Sequence, residues 1–476
     1  MSILREKYKY LSKNTFIFAV SSFGTKFLSF LLVPLYTNVL TTSEFGITDI
    51  ITTTATLMMY VCTVNIADGV LRFAIGRKEK QSEILSFGIR VLIIGSLIAV
   101  LLLTIVSQIK LFNWPKVYFG FVFLYFFFTA LYQIMTNFLS AVNKVFDVAV
   151  AGIISTVVMI IGNIIFLLLI KIGVYGYLIS LVLGPFVGSI YCFIKAKIKP
   201  IDYIKCVCSI TTQKDMLQYC VPLIFNNIAL WINVFLDKYF VAAICGVGAN
   251  GIYAVANKIP RILSTCYIVF SQAWTLSAIK EFDRDDKDGF FAGTYEMYNA
   301  TIAVICSGVI LLNVPLARIL FAKDFFEAWK YSSILLLAIM FNALTSFQGS
   351  IVAAVKKNKE LALTTLISAG CNILLNILLI PVWGVLGAAI ATAASYMVMW
   401  IIRHVLVRKY IKMNINLIKD CLVYSLLILQ VILEHFEYHS YIGQGVILLI
   451  IIVLYRKYTI KILNQLKIKF LSKRQK

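Results

Sequence analysis

Between Arg90 and Lys110 the chain reads Val91-Leu-Ile-Ile-Gly-Ser-Leu-Ile-Ala-Val-Leu-Leu-Leu-Thr-Ile-Val-Ser-Gln-Ile109, a run without a charged side chain. A helix that crosses a bilayer needs about 20 predominantly apolar residues, so this run predicts a membrane-spanning helix. The rest of the chain has the same character, because 61% of its 476 residues are apolar and only 14% are charged. Soluble domains contain about 25% charged residues, so the composition predicts an integral membrane protein.

Fourteen such runs can be found along the chain. At about 20 residues each they would use about 280 apolar residues, close to the number that this composition supplies. Little remains for a soluble catalytic domain, and the long apolar runs exclude an outer-membrane barrel, whose strands alternate in polarity. We predict an all-α membrane protein with 12–14 spanning helices and a best count of 14. The predicted spans are 15–40, 47–70, 84–108, 117–139, 148–170, 174–195, 217–242, 251–278, 291–314, 331–354, 361–383, 385–407, 416–434 and 440–455.

The uneven distribution of basic residues predicts the orientation of the chain. Lys and Arg accumulate in cytoplasmic loops, and a cytoplasmic N-terminus places most of the 44 basic residues on that side. The basic clusters that fall on the cytoplasmic side are Arg77–Lys80, Lys195–Lys199, Lys356–Lys357 and the tail Lys467–Lys476. Both termini are therefore predicted to be cytoplasmic. The net charge of +22 then reflects topology and contact with anionic lipid head groups, and no nucleic-acid partner is predicted.

The sequence lacks the motifs that would indicate an enzyme. It contains no G-x-x-x-x-G-K-[ST] phosphate loop, no Ser/His/Asp arrangement and no metal-ligand spacing. The ten cysteines lie mostly in apolar runs, and Cys206-x-Cys208 lacks the four ligands of a zinc site. The three histidines lie at span ends or in a loop. We therefore predict that the protein is not an enzyme and that it uses no cofactor and no bound metal.

Weak internal similarity suggests that the chain contains two related halves. Three pairs of segments recur in the same order at a spacing of roughly 205 to 213 residues. The pairs are Ser43–Thr48 with Gly248–Tyr253, Ala141–Lys144 with Ala354–Lys357, and Gly173–Gly176 with Gly384–Gly387. The predicted organisation is one six-helix bundle in residues 1–200, a second in 201–412, and two further spans with a basic tail in 413–476. The alternative is chance similarity among apolar segments.

An even number of spans in each half has a consequence for symmetry. Both halves enter the membrane from the same side, so they should be related by an axis along the membrane normal. Transporters built in this way expose a central site alternately to the two sides of the membrane. The repeat therefore predicts a transporter.

Ionisable residues within the spans are the candidate site residues, because a charge at bilayer depth costs about 2.5 kcal/mol or more. Asp68 and Arg72 lie four residues apart on one helical face, and we predict an ion pair with a structural or gating role. Asp237 and Lys238 are adjacent and point in different directions, and Lys238 can reach the interface. These two are secondary candidates.

Three further cations have no acid nearby in sequence. Lys26 lies about 16–18 Å along the first span, and Lys258 and Arg261 lie about 10–15 Å into the eighth, on one face. Pro260 lies between the last two and interrupts helical hydrogen bonding, as in the broken helices of transporters. Three cations predict a site for an anion such as a phosphate or pyrophosphate. The alternative is that they reach the interface or pair with Asp237.

Several stretches resemble the polysaccharide flippases (Wzx-type, O-antigen or capsule) of the multidrug/oligosaccharidyl-lipid/polysaccharide exporter superfamily, and the resemblance extends over both halves, about 400 residues. They are Ser22–Lys26, Leu31–Asn38, Thr42–Gly46, Ala67–Phe73, Asp237–Tyr239, Gly251–Lys258 and Gln272–Trp274. Together they are fairly specific for this family, although none is diagnostic alone. One departure is Phe225-Asn226, where the family usually has Pro-Asn, with Pro222 three residues earlier. This departure bears on how the seventh span bends and not on the resemblance to the family.

The resemblance implies a fold, a substrate and a location. The fold would be a V-shaped, MATE-like bundle with a basic central cavity, to which Lys26, Lys258 and Arg261 would contribute. The substrate would be an oligosaccharide repeat unit on undecaprenyl pyrophosphate, moved across the bacterial cytoplasmic (inner) membrane for lipopolysaccharide O-antigen or capsule synthesis. Coupling would be to an ion gradient rather than ATP. The implied partners are this lipid-linked oligosaccharide, membrane lipids, a polysaccharide polymerase and a chain-length regulator.

Three other functions stay open at the level of sequence. A multidrug exporter of the same superfamily would share the fold but should hold acids in the cavity of its first half. The first span of this chain has no acid and carries Lys26 instead. A lipid II flippase would share the pyrophosphate chemistry. A membrane scaffold of a polysaccharide assembly complex would transport nothing.

Overall fold

The computed structural model describes residues 24, 30–75, 80–108, 115–197, 208–436 and 441–456. All regular secondary structure in these ranges is helical. Contacts between residues divide the chain into two compact units, Met1–Phe235 and Leu236–Lys476. The division falls inside one helix. The predicted boundary after residue 200, with its two six-helix bundles, stays a prediction.

The helices of the first unit are mostly long and apolar. They are α1 (Val33–Val39), α2 (Thr42–Cys62), α3 (Ile66–Ala74), α4 (Gln81–Gln108), α5 (Lys116–Ala141), α6 (Val145–Asn163), a π-helical turn (Ile164–Leu169) and α7 (Gly173–Ala196). The helix α8 (Ile210–Ile244) begins in this unit and ends in the second. Pro222 lies inside α8 without ending it.

The described residues of the second unit form nine further helices. They are α9 (Val247–Ala256), α10 (Pro260–Lys280), α11 (Phe290–Leu311), α12 (Asn313–Leu320), α13 (Trp329–Ala354), α14 (Asn358–Trp383), α15 (Val385–Val407), α16 (Leu417–Phe436) and α17 (Tyr441–Leu454), with a 3-10 segment at Lys323–Ala328. The helices α13, α14 and α15 pack against one another, and α11 packs against α16 and α17. The most deeply buried helix is α13, most of whose side chains are enclosed.

The all-α prediction is confirmed. Thirteen of the predicted spans coincide with helices, and the first falls largely outside the described residues. Nine described helices are long and apolar enough to cross a membrane, or ten if α11 and α12, which meet at 59°, form one bent span. Large apolar side chains lie on the surface, such as Leu97 at 68% and Val382 at 72% exposure. Such a surface suits hydrocarbon rather than water, so the chain is a multi-pass membrane protein.

The second predicted span is broken in the structure. The helix α2 begins with a capping box, in which the Thr41 hydroxyl accepts from the Glu44 amide and the Glu44 carboxylate accepts from the Thr41 amide. The helix ends at Cys62, and Val64 and Asn65 both have left-handed backbones with φ of 53°. A β-branched residue rarely adopts this conformation, so the surrounding packing must hold it. The chain resumes as α3, which carries Asp68 and Arg72.

Candidate functional site

The eighth predicted span is interrupted next to its two cations. The helix α9 ends at Ala256, residues 257–259 form a turn, and Pro260 begins α10. Proline has no backbone N–H, so it cannot donate the hydrogen bond that would join the two helices. The Lys258 amide instead donates to Val255 O at 2.8 Å. This confirms the interruption that the sequence predicts at Pro260.

Packing holds the interruption in place and leaves the cations near the surface. Ser332 of α13 donates to Ala256 O at 3.0 Å, and Ile259 is fully buried. Lys258 is half-buried and Arg261 is exposed. No ion pair of the described residues includes Arg261. The turn therefore presents positive charge at the surface of the second unit. Lys26, the third predicted cation, lies outside the described residues.

Asp237 is the most enclosed of the predicted candidates. It lies near the end of α8 and is 3% exposed. The Tyr253 hydroxyl of α9 donates to Oδ2, Thr392 Oγ1 of α15 lies 3.1 Å from the same oxygen, and the Lys238 amide donates to Oδ1 at 2.9 Å. Lys238 is also buried. Three helices thus supply hydrogen-bond donors around one carboxylate.

Asp68 has asparagine neighbours in the first unit. Its Oδ2 accepts from Asn65 Nδ2 at 2.6 Å, and its Oδ1 lies 3.5 Å from Asn137 Nδ2 of α5. Asn137 also donates to Ala67 O at 3.0 Å, which ties α3 to α5. Arg72 is exposed, and no ion pair joins it to Asp68 within the described ranges. The pairing of these two residues stays a prediction.

Arg403 is a buried cation that the sequence reasoning missed. It is 7% exposed on α15, and it donates to Thr364 Oγ1, Thr365 Oγ1 and Thr345 O, each at 2.9 Å. Gly349 leaves room for it, since an added Cβ would lie 3.3 Å from Arg403 Nη1. One arginine therefore joins α13, α14 and α15. Its position within the predicted span 385–407 was the signal that could have revealed it.

A second group that sequence reasoning missed lies between α11, α16 and α17. Asp420 is fully buried and accepts from Tyr295 at 3.1 Å and from Tyr455 at 2.9 Å. Lys419 pairs with Glu296.

Further along α16, other buried polar side chains contact residues of α11 and α12. These contacts are Gln430 with Ser307 and Glu434 with Asn313. The acids Asp420 and Glu434 lie near the ends of a predicted span, and only the packing of the helices shows that they are enclosed.

The described residues contain no group of three or more His, Cys, Asp or Glu side chains that could hold a metal ion. What the arrangement offers chemically is positive charge at a broken helix and a carboxylate enclosed by donors.

Comparisons with protein families and with curated proteins show what the sequence of this chain is similar to. The family described as "Polysaccharide biosynthesis protein" matches residues 11–275 of this chain. A curated relative, the "Uncharacterized membrane protein MJ1068" of Methanocaldococcus jannaschii, is 26% identical over 171 residues. That alignment covers 34% of this chain and 34% of the relative, so the chain matches about a third of the relative's length.

Solved structures with a similar fold are transporters and flippases. The lipid II flippase MurJ in an inward closed conformation aligns with a TM-score of 0.68 at 15% identity, covering 95% of this chain and 99% of that chain. The inward-facing conformation of a multidrug resistance MATE family transporter of the MOP superfamily aligns with a TM-score of 0.64 at 12% identity, covering 81% and 95%. At these identities the likeness concerns the fold. The predicted MATE-like fold is confirmed.

Proposed function

Because the chain belongs to the polysaccharide biosynthesis protein family, we propose that it is a flippase for lipid-linked oligosaccharides. Its substrate would be an oligosaccharide repeat unit on undecaprenyl pyrophosphate, destined for O-antigen, capsule or another surface glycan. The membrane would be the bacterial cytoplasmic membrane, with both termini of the protein in the cytoplasm. A polysaccharide polymerase and a chain-length regulator would act on the same pathway.

The observation that carries this proposal is the interrupted helix between α9 and α10. It places Lys258 and Arg261 within four residues of each other at the surface of the second unit. Cations within a membrane-spanning segment are costly and mark sites that handle charge. Lysine and arginine bind phosphate groups through charge-assisted hydrogen bonds. A pyrophosphate head group is the anion that a lipid-linked oligosaccharide presents.

The physical task explains why such a site is needed. A charged pyrophosphate with its sugars cannot cross hydrocarbon unaided, whereas the polyprenyl tail can stay in lipid throughout. We propose that Lys26, Lys258 and Arg261 bind the head group and that the protein exposes it to one side of the membrane and then to the other. A ligand can shift such an equilibrium only by binding the two states with different affinity.

Coupling to an ion gradient is the second part of the proposal, and Asp237 supports it. Its carboxyl group is enclosed and faces the hydroxyl groups of Tyr253 and Thr392. An acid at membrane depth is a candidate for binding a proton or a metal cation during transport. Asp68 and Arg72 would form a gating pair in the first unit.

The test is complementation of a strain that lacks its own polysaccharide flippase. The double variant Lys258→Gln with Arg261→Gln should be inserted and abundant but should not restore surface polysaccharide, because it cannot hold the head group. Undecaprenyl-linked repeat units should accumulate on the cytoplasmic leaflet. Lys258→Arg should retain more export than Lys258→Gln, since it keeps the charge. Lys287→Gln, which removes an exposed charge from a loop, is the matched control.

Other outcomes would favour other functions. Export at the wild-type level by the double variant would refute the anion site. Rescue of a strain depleted of its lipid II flippase would indicate that substrate instead, and drug resistance without export would indicate a multidrug exporter. A scaffold would support polymer assembly even when the transport residues are neutralised.

A further inference from the structure

Glu434 lies at the end of α16, enclosed by two other elements of the second unit. The side chain is 1% exposed. Its Oε1 accepts a hydrogen bond of 2.9 Å from Asn313 Nδ2, at the first residue of α12. The same nitrogen lies 2.9 Å from Trp329 O, at the first residue of α13. One carboxyl group thus takes part in joining α16, α12 and α13.

The other oxygen of this carboxyl group has no hydrogen-bond partner. Among the described residues, Glu434 Oε2 is buried without a partner, and so are Ser333 Oγ and Asn313 Oδ1. The Ser333 hydroxyl nevertheless lies beside the carboxyl group and interacts with it. A buried polar atom without a partner costs about 1–3 kcal/mol. Such atoms are rare in folded proteins, so two of them side by side require an explanation.

No counter-ion for Glu434 is found among the described residues. The charged side chains of the neighbouring helices are Arg318 on α12 and Lys330 on α13, His435 follows Glu434 on α16, and α17 contributes no charged side chain. The groups that interact with the carboxyl are Asn313 and Ser333, which are neutral. The Lys330 ammonium lies 3.4 Å from Glu327. An ionised Glu434 would be a buried charge with no counter-ion among the described residues, which is strongly unfavourable.

We propose that Glu434 is a proton-binding site. A proton taken from water onto Oε2 removes the charge and turns this oxygen into a donor to Ser333 Oγ. One hydrogen then supplies the missing partner of both buried atoms. The proposal rests on the proposed function, in which transport is coupled to an ion gradient, and it names H⁺ as an ion that the second unit binds. The site lies at the C-terminal end of α16, and the distribution of basic residues predicts that this end faces away from the cytoplasm.

The first test compares the pH dependence of stability in variants of the full-length protein in lipid nanodiscs. Because the neutral acid would satisfy both buried atoms, the folded protein should hold this proton more tightly than a solvated glutamate does, so the Tm should fall as the pH rises above the ordinary pKa of glutamate. Glu434→Gln has nearly the shape of the neutral acid and should remove this fall. Glu327→Gln, an exposed glutamate with a side chain 57% accessible, should keep the wild-type profile.

An unchanged pH profile in Glu434→Gln would overturn the proposal. A Tm that responds to Na⁺ and not to pH would overturn it as well, in favour of a metal cation. The second measurement is infrared spectroscopy of wild-type protein labelled with ¹³C-glutamate. Solvated glutamates are ionised at neutral pH, so a protonated-carboxyl band there would report an enclosed glutamate. The absence of such a band would contradict the proposal without any variant.

These readouts are independent of the proposed function. A variant pair at Lys258 and Arg261 that fails to alter export would refute the flippase proposal and leave the proton site intact. Conversely, a protein that exports polysaccharide but lacks the pH response at Glu434 would still be a flippase. Its coupling ion would then bind at another residue, for which Asp237 is the candidate.

Discussion

At the scale of single residues, Arg403 differs from the cations on which the functional proposal rests. Lys258 is half-buried and Arg261 is exposed at a broken helix, whereas Arg403 is enclosed and has three neutral oxygen acceptors. An enclosed guanidinium that donates three hydrogen bonds to its own protein is suited to holding helices together. We therefore assign Arg403 to structure and keep the substrate proposal on Lys258, Arg261 and Lys26.

The first prediction follows from this assignment. Arg403→Met should lower the free energy of unfolding by roughly 1–3 kcal/mol, because it removes the buried hydrogen bonds that the guanidinium donates to α13 and α14. Arg403→Lys should be intermediate, because an ammonium group lacks the planar fork of a guanidinium. The measurement is thermal unfolding in nanodiscs. Arg408→Gln, at an exposed position, is the control and should leave the Tm nearly unchanged. Equal Tm values for all four proteins would contradict the structural role.

Sequence reasoning found only some of the charged residues that matter. It identified Lys258 and Arg261 because they stand in an apolar run beside Pro260, a signal that is local in sequence. It missed Asp420 and Glu434, because a charge near the end of a predicted span looks solvated until the neighbouring helices are known. Tyr295 and Asn313, which donate to these two acids, lie more than 100 positions away in the sequence.

At the scale of secondary structure, close packing surrounds the break in the second span. An added Cβ at Gly95 of α4 would lie 2.3 Å from Cys62 O, the carbonyl that ends α2. Backbone atoms cannot move aside as a flexible side chain can. Glycine at this position therefore allows α4 to approach the break, where Val64 and Asn65 hold left-handed conformations.

The second prediction concerns this contact. Gly95→Ala should destabilise the protein by about 1–3 kcal/mol through overpacking, even though alanine is the better helix former. Gly120→Ala in α5 is the matched control, because no atom lies within 4 Å of its added Cβ. That variant should be neutral or slightly stabilising. The measurement is the Tm of both variants, and a stable Gly95→Ala protein would refute the close approach.

The third prediction concerns the interruption between α9 and α10. Pro260→Ala restores a backbone N–H and should favour a continuous helix through residues 257–259. Export should fall several-fold, because the turn that presents Lys258 would be remodelled, while the Tm should be unchanged or higher. Complementation and thermal unfolding measure the two effects. Pro381→Ala, at the proline inside α14, is the control, since no candidate residue lies beside it. Full export by Pro260→Ala would mean that the interruption is not required.

At the scale of the whole molecule, the prediction concerns orientation in the membrane. Reporter fusions at Lys476 and within Lys195–Lys214 should both behave as cytoplasmic, because the basic clusters flank these positions. A fusion in the segment between α11 and α13, at Lys323, should behave as outside the cytoplasm. A cytoplasmic signal at Lys323 or an external signal at either of the other positions would overturn the topology and the repeat assignment with it.

The sequence by itself determined that the chain is an all-α membrane protein, where its spans lie, and that one span is interrupted at Pro260. These are properties of apolar length and of a missing N–H, and both can be read along the chain without knowledge of neighbours. Only the tertiary structure decided which charges are enclosed. Asp68 contacts Asn137, Arg403 contacts two threonines of α14, and Glu434 meets Asn313. Each partner comes from another helix, and the energy of a buried charge depends on what surrounds it in space.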